Sequence, residues 1–492
     1  MTSKAATNPS SPAPGGADSS RGDASLVTRY GLPCLIGLTA VAALLRTLYL
    51  TSKSFTLDEG FTAFLARTSY TELAHTVWHS EPNLALYYGL LRLWTHLGSG
   101  EFTMRLLSVA FGVATIPMIY VLGLRLFNRR TAIVAALLMV VHPAHVALSQ
   151  DARSYSLTVL LVSFSSLLFL RTLENPSRLN WIAYATISAL AVYSHFFAAL
   201  VILAQALSLL AARLDRPVWN ALLKAAPMMA ALLAPVAVFL LIRPRTELAW
   251  VPALHRQQVF DLLYFLTLSK FRCLLYVALW MAALWGLLSR PNRHASRWPC
   301  WFVLSWLVVP IAVTILASTV RPLLVERFLA ICIPASVLLA AAGFEFLLVR
   351  HRMIAGAVLL LLLLYSARSL RFFYAHPDIN DDWRGAITYV LAQSHPADEI
   401  VVLPAYARFT FDYYRATIGP QAPLVRVTSD PSSGLTSTPP QTVWFIGSDF
   451  PVKGATEAQV NAFLAAHPED CAASAHQFTA VRVWQLRPCS GR

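Results

Sequence analysis

The chain has 492 residues, of which 57% are hydrophobic and only 13% charged, and its formal net charge is +14. Apolar runs of about 18 residues or more recur through its first three quarters, and runs of this length can cross the hydrocarbon core of a membrane as helices. A soluble globular protein is therefore excluded. The positive charge does not indicate nucleic acid, because polytopic proteins accumulate Lys and Arg in cytoplasmic loops and the sequence has no basic stripe with interleaved aromatic residues.

Residues 1–27 come before the first apolar run and are rich in Ser, Ala, Pro and Gly. They contain too few large apolar residues to form a core, so we expect a disordered cytoplasmic tail. The apolar stretch that follows is long enough to remain as a first membrane span, so no cleaved signal peptide is predicted.

The sequence predicts a membrane domain over residues 28–375 with eleven spans. They are expected near residues 28–50, 103–126, 131–149, 154–171, 180–194, 196–212, 220–242, 272–289, 300–319, 329–349 and 353–371. Every loop on one side of this arrangement has at least two basic residues, which is typical of cytoplasmic loops. The protein is thus expected in the plasma or inner membrane. An odd number of spans and a cytoplasmic N-terminus place the C-terminus outside.

Two soluble segments are predicted on the extracytoplasmic side: a long first loop, 51–102, and a C-terminal domain, 376–492. The C-terminal domain combines amphipathic helical patterns with short apolar runs such as "EIVVLP" and "TVWFIG", which indicates a small α/β fold. Cys471 and Cys489 both fall in this domain, where an oxidising compartment would permit a disulfide. No Cys/His spacing in the chain suggests a zinc site.

The first loop contains the stretch "TLDEGF", in which Asp58 and Glu59 begin a segment with partly helical spacing of its apolar residues. This segment, 57–78, is predicted to lie along the membrane interface as an amphipathic helix. The carboxylates have two interpretations, either a functional pair or charges that complement the positive helix N-terminus. Ordinary solvated loop positions are expected for Glu72, Glu101 and Glu247.

Further charged residues are predicted at the outer ends of the fourth and tenth spans. The stretch "SQDARSYS" contains Asp151, Arg153 and Tyr155, and "VERFLAICIP" contains Glu326 and Arg327. Charges beside hydrocarbon are costly unless they are paired or functional. An Arg near the interface can also simply extend to water, which is the alternative for both arginines. Together with the acidic pair, these residues indicate a site that handles an anion and a proton.

Four stretches together resemble the polytopic, lipid-dependent glycosyltransferases of the GT-C fold: "TLDEGFTAFLA", "LYYGLLRLW", "SQDARSYSL" and "ERFLAICIPASVLLAAAG". Within that fold, the chain resembles the protein O-mannosyltransferases, the lipid A aminoarabinose transferases and their bacterial cousins, over roughly residues 30–370. The resemblance implies a GT-C-like polytopic α-helical membrane protein. It also implies a polyprenyl-phosphate sugar donor in the bilayer and an acceptor hydroxyl on a protein, glycan or lipid.

The resemblance also implies roles for individual residues. Asp58 matches the first-loop acid of the family and is expected to be the general base, while Glu59 orients the acceptor or the base. Asp151 is expected to orient substrate. Arg153 and Arg327 are the candidates for the lipid phosphate, because a guanidinium fork matches phosphate oxygens. Arg153 could instead pair with Asp151 structurally.

Other positions are candidates for binding substrate. Many relatives have His-Pro-Pro before the "LYY" run, whereas this chain has "HSEPNLALYY" with His79, Glu81 and Asn83. His195 in "YSHFF" is similar to a polar position of the family, although a lone His beside aromatic residues is commonly a packed, hydrogen-bonded side chain. Neither a metal nor another cofactor is predicted. The substrate-binding candidates are Tyr155, His195, Glu81 and Glu326.

Two other classes of protein remain as alternatives. A transporter or lipid flippase usually places binding groups near the bilayer midplane in paired repeats, whereas here the span interiors are nearly free of charge and no two halves look alike. A non-catalytic scaffold that presents the C-terminal domain would leave the clustered carboxylates and arginines unexplained.

Overall fold

A computed structural model describes most of the chain. The described residues are 31–79, 81–212, 216–242, 250–267, 270–289, 297–376, 381–419, 426–428, 442–449, 454–468 and 470–489. The predicted cytoplasmic tail, 1–27, and Glu247 lie outside these ranges.

The membrane part is built from long helices, with a group of short helices between the first and second. Its helices are α1 (Gly31–Thr47), α2 (Leu57–Leu65), α3 (Tyr70–His79), α4 (Ala85–Trp94), α5 (Glu101–Leu126), α6 (Arg129–Val140), α7 (Pro143–Ser149), α8 (Tyr155–Glu174), α9 (Arg178–Ser194), α10 (Ala198–Ser208), α11 (Arg216–Ile242), α12 (Arg256–Thr267), α13 (Lys270–Leu288), α14 (Trp298–Ser318), α15 (Ile333–Arg350) and α16 (Arg352–Ala375). A 3₁₀ turn, Glu326–Cys332, leads into α15.

Every predicted span falls on a helix or on a bent helix pair, so the polytopic helical fold is confirmed. Among the described residues, seven helices are long and apolar enough to cross a membrane, or eight if α6 and α7, bent by 58°, form one span. The spans predicted at 28–50, 180–194 and 196–212 fall on the shorter helices α1, α9 and α10. The number eleven therefore stays a prediction.

The break between α6 and α7 is stabilised by a buried arginine. Pro143 has no N–H group to donate to Met139, four residues earlier, so the helix breaks there. Arg46 of α1 donates to two carbonyls at the break, with Nη2 at 3.1 Å from the Met139 oxygen and Nη1 at 3.2 Å from that of Val140. The Met139 carbonyl also accepts from the His142 N–H at 3.4 Å. Its Nη2 also lies 2.8 Å from His145 Nδ1. Backbone groups left unpaired inside a membrane are costly, so Arg46 makes the break tolerable.

The first loop contains three short helices, whereas a continuous amphipathic segment was expected over 57–78. The segment divides into α2 and α3 because Ser69 begins a new helix, its Oγ accepting from the Glu72 N–H at 3.2 Å. At the start of α2, Thr56 and Glu59 form a reciprocal capping box. The cap fixes the first turn of α2, which holds Asp58.

The C-terminal domain is the small α/β unit that the sequence predicts. It contains α17 (Trp383–Gln393), β1 (Glu399–Leu403), α18 (Arg408–Ile418), β2 (Arg426–Thr428), β3 (Val443–Ser448), α19 (Ala455–Ala466), β4 (Asp470–Phe478) and β5 (Val481–Pro488). The strand order is β2-β1-β3-β5-β4, with β1 parallel to β2 and β3, and β5 antiparallel to β3 and β4. Cys471 and Cys489 form a disulfide that joins the β4–β5 hairpin.

Candidate active site

Asp58 lies between two arginines that are far away in sequence. Its Oδ2 is 3.2 Å from Arg327 Nη2 and 3.7 Å from Arg153 Nη2, and its side chain is 31% exposed. Helix α2 presents the carboxylate from one side, the loop before α8 supplies Arg153, and the 3₁₀ turn before α15 supplies Arg327. The structure thus brings the two predicted constellations together at one point.

These guanidinium groups control the ionisation of Asp58. Burial by itself would raise the pKa of the carboxyl, but the charges of Arg153 and Arg327 outweigh burial and hold the pKa below its ordinary value. Asp58 is therefore a carboxylate at neutral pH, the form that can accept a proton.

Glu59 points away from Asp58 and is fully enclosed by donors. Its two carboxylate oxygens each lie 2.8 Å from an Arg105 nitrogen, in a bidentate pair, and one of them accepts from the Ala152 N–H at 2.9 Å. Arg105 is also held by the carbonyls of Leu50, Lys53 and Ser54. Glu59 therefore ties α2 to α5 and to the loop that contains Arg153.

Sequence reasoning did not single out Arg105. The available signal was a lone Arg one turn into an otherwise apolar span, in "EFTMRLL". Such a charge needs a partner, and the partner is the second carboxylate of "TLDEGF".

Asp151 lies in the same loop as Arg153 and near Glu59. Burial and the Glu59 charge raise the pKa of Asp151 to about 7, against the opposing charges of Arg105 and Lys53. Burial also lowers the pKa of Lys53 to about 8. The structure places the Arg153 side chain on Asp58; within the described residues it forms no ion pair with Asp151.

Tyr155 and His195 form an aromatic wall beside the arginines. The His195 ring centroid lies 6.0 Å from that of Tyr155 and 4.8 Å from that of Phe328. His195 Nε2 is 3.4 Å from Asn83 Nδ2, and Asn83 Oδ1 accepts from the Phe196 N–H at 2.9 Å. Burial and the charges of Arg153 and Arg327 lower the pKa of His195 to about 3, so its imidazole is neutral.

The remaining candidates lie at the edge of the site. Glu81 is close enough to Tyr88 and Tyr406 for its charge to raise their pKa values. Glu326 begins the 3₁₀ turn beside Arg327, and its side chain forms no hydrogen bond or ion pair within the described residues. Tyr406 belongs to the C-terminal domain and was missed, because nothing in its local sequence indicates contact with the first loop.

An apolar groove of about 1130 Å³ lies between α7, α12 and α16. Phe373 lines this groove, and Lys53 Nζ lies 3.2 Å from the centroid of its ring. Arg368, Arg371 and His376 also border the groove. In the part of the chain that the structure describes, no group of three or more His, Cys, Asp or Glu side chains could hold a metal ion.

This architecture is the GT-C fold of polytopic, lipid-dependent glycosyltransferases, and the protein is a multi-pass membrane protein. The structure is similar to ArnT from Cupriavidus metallidurans bound to undecaprenyl phosphate, with a TM-score of 0.60 and 14% identity over 92% of this chain and 97% of that one. It is also similar to the oligosaccharyltransferase AglB from Archaeoglobus fulgidus in complex with an inhibitory peptide and a dolichol-phosphate. That match has a TM-score of 0.53 and 13% identity over 81% of this chain and 65% of AglB.

The sequence alone gives a narrower match. The model of the dolichyl-phosphate-mannose-protein mannosyltransferase family matches residues 80–242. No curated protein sequence matches the chain significantly. The resemblance noted in the sequence is thus confirmed at the level of the GT-C fold, while the reaction has to be argued from the site.

Proposed function

We propose that the protein is a glycosyltransferase that moves a sugar from a polyprenyl-phosphate donor to an acceptor hydroxyl on the extracytoplasmic side. The observation that supports this most is the Asp58 carboxylate held between the Arg153 and Arg327 guanidinium groups in a GT-C fold. One such site combines a proton acceptor with two cations, which is what transfer from a phosphate leaving group requires.

The arginines would bind the donor phosphate. Arg327 Nε and Arg153 Nε are both buried and, among the described residues, have no hydrogen-bond partner, so each guanidinium can still donate to an anion. Arg327 also lies over the Trp250 ring, 5.6 Å from its centroid, which holds it toward the site. The groove lined by Phe373 offers an apolar surface of the kind that a polyprenyl chain needs.

Phosphate binding would also activate the base. When Arg153 and Arg327 donate to the phosphate, they interact less with Asp58, and the effect that lowers its pKa becomes weaker. Burial then raises the pKa of Asp58. Asp58 thereby becomes the stronger base only when donor is present.

In the reaction, the acceptor oxygen attacks the anomeric carbon of the sugar and its proton passes to Asp58. The bond between that carbon and the phosphate oxygen breaks, and polyprenyl phosphate leaves with its added charge stabilised by the two arginines. Glu59 positions α2 through Arg105. Asp151, with its pKa near 7, orients substrate beside them, and Tyr155, His195, Glu81 and Glu326 form the walls.

The test uses the full-length protein in liposomes with labelled polyprenyl-phosphate sugars of the mannose, aminoarabinose and galactose types. The acceptor is the cell-envelope fraction of a deletion strain, which contains the undecorated acceptor. Label should move to the envelope with wild-type protein and not with Asp58→Asn. If no donor transfers its label but the labelled lipid crosses the bilayer, the protein is a flippase and the proposal is wrong.

A further inference from the structure

The C-terminal domain rests directly on α2, the helix that carries Asp58. Gly60 has no side chain, and Thr410 of α18 fills the space: a Cβ at Gly60 would lie 1.9 Å from Thr410 Oγ1. Around this contact, the Phe409 ring centroid lies 5.0 Å from that of Phe61 and 4.7 Å from that of Phe64. The glycine of "TLDEGF" is therefore explained by the close approach of α18.

Polar contacts anchor the same domain to the first loop. Arg384 of α17 forms an ion pair with Glu101, and the Tyr414 hydroxyl donates to Glu101 Oε1 at 2.6 Å. The Tyr414 oxygen in turn accepts from the Phe55 N–H at 2.6 Å. Glu101 was expected to be an ordinary loop carboxylate, but it is the anchor of the C-terminal domain. These contacts hold the C-terminal domain against the first loop, next to α2.

Tyr406 brings the C-terminal domain to the edge of the site. Its ring centroid lies 5.3 Å from that of Phe61, which is three residues after Asp58 and therefore on the same face of α2. Tyr406 is 37% exposed and lies close enough to Asp58 for the carboxylate charge to raise its pKa, so a partly open aromatic ring lies beside a partly exposed carboxylate. Burial of the phenol raises the pKa of Tyr406, so it stays neutral and does not compete with Asp58 for a proton.

We infer that the C-terminal domain forms the acceptor side of the site, with Tyr406 as the aromatic ring that holds a pyranose ring. A sugar ring has an apolar C–H face that can pack on an aromatic ring, while its hydroxyl edge reaches Asp58. An extended peptide acceptor would instead favour a free strand edge. The free edges of the sheet are strands β2 and β4, whereas the described surface next to Asp58 is made of helices and a turn. A strand edge for an extended peptide is therefore not part of that surface.

This inference depends on the proposed glycosyl transfer, and the experiment separates the two. Full-length protein in liposomes receives a labelled donor and either an alkyl pyranoside or a Ser/Thr peptide, and both transfer and donor hydrolysis by water are followed. Tyr406→Ala should raise the KM for the pyranoside by about 10-fold or more, because the stacking surface is lost. Donor hydrolysis should stay within about 2-fold, since water needs no aromatic surface.

Three further variants act as controls. Tyr406→Phe keeps the ring and should stay within about 3-fold of wild type. Tyr413→Phe removes a hydroxyl that bonds to the Ser99 carbonyl at 3.3 Å, on another part of the same interface, and should leave the acceptor KM unchanged. Phe64→Ala removes a ring six residues after Asp58, on another face of α2, and should leave the acceptor KM within about 3-fold of wild type.

Several results would contradict the inference. An unchanged acceptor KM in Tyr406→Ala would mean that this ring does not bind the acceptor. Transfer to the peptide but not to the pyranoside would overturn the assignment of a sugar acceptor. Wild-type protein that neither transfers nor hydrolyses any donor would overturn the proposed function itself.

Discussion

At the scale of single residues, the proposed role of Asp58 as general base can be tested directly. Asp58→Asn keeps the shape of the side chain but removes its basicity, so the transfer step should slow by about 10²- to 10⁴-fold, the usual contribution of general base catalysis. Donor binding should be retained, because the arginines remain. Single-turnover transfer at saturating donor measures this. A rate within a few-fold of wild type would exclude Asp58 as the base and leave Asp151 as the next candidate.

Arg327 allows a test of phosphate binding that does not depend on charge alone. Arg327→Lys keeps the positive charge but loses the fork that matches phosphate oxygens, so the donor KM should rise, and Arg327→Ala should raise it further. Initial rates as a function of donor concentration distinguish the three proteins. An equal donor KM in all three proteins, with normal membrane insertion, would mean that Arg327 does not bind the phosphate and only places its charge in water at the membrane interface.

Glu59 should respond differently from its neighbour Asp58. Glu59→Gln leaves Arg105 buried with a neutral partner, and breaking a buried ion pair typically costs about 3–5 kcal/mol. We therefore expect a marked loss of thermal stability, with activity lost in proportion to the unfolded fraction. A variant as stable as wild type but inactive would instead place Glu59 in the chemistry.

The sequence identified Asp58, Arg153 and Arg327 because charges beside apolar spans need a reason to be there. It left open which carboxylate meets which guanidinium, since pairing depends on how the helices pack. The structure assigns Asp58 to Arg153 and Arg327, and Glu59 to Arg105. Two adjacent carboxylates thus have separate environments because successive positions on a helix face different directions.

At the scale of elements, the contact between α2 and α18 can be tested with one methyl group. Gly60→Ala would force α2 and α18 apart, and overpacking of this kind typically costs about 1–3 kcal/mol. We expect faster proteolysis at the junction before α17 and weaker transfer to the acceptor.

Gly89 in α4 provides the matched control for Gly60. A Cβ there meets nothing within 4 Å, so Gly89→Ala should stabilise its helix by about 0.5–1 kcal/mol and leave transfer unchanged. Limited proteolysis, thermal unfolding and transfer, compared between the two variants, check the contact. If Gly60→Ala behaves like Gly89→Ala, the domain does not depend on this contact.

At the scale of the whole molecule, the helices and strands could be predicted because apolar length and periodicity report directly on local structure. The docking of the C-terminal domain on the first loop could not be predicted from the sequence. Its contacts join Glu101 to Arg384 and Gly60 to Thr410, which are far apart in the chain and carry no periodic signal. The break of the third span at Pro143 was also missed, although the proline itself was visible in the sequence.

The predicted orientation of the molecule has a direct test. The Lys and Arg bias of the loops places the C-terminal domain outside, so a reporter that is active only outside the cytoplasm should be active when fused after Arg492. Activity of a cytoplasm-only reporter at that position would contradict the eleven-span arrangement. It would also contradict the prediction that the site faces the extracytoplasmic side of the membrane.

The pairing of Arg46 with the broken third span also bears on biogenesis. Arg46 lies in the last turn of α1, and a charged residue within a membrane span is costly to insert unless it is paired. The carbonyls of Met139 and Val140 that accept from Arg46 are synthesised 93 and 94 residues after it. We therefore expect α1 to settle in the bilayer late, together with α6 and α7. Replacing Arg46 with Leu should let α1 insert independently, while the carbonyls of Met139 and Val140 lose the donors that Arg46 supplies.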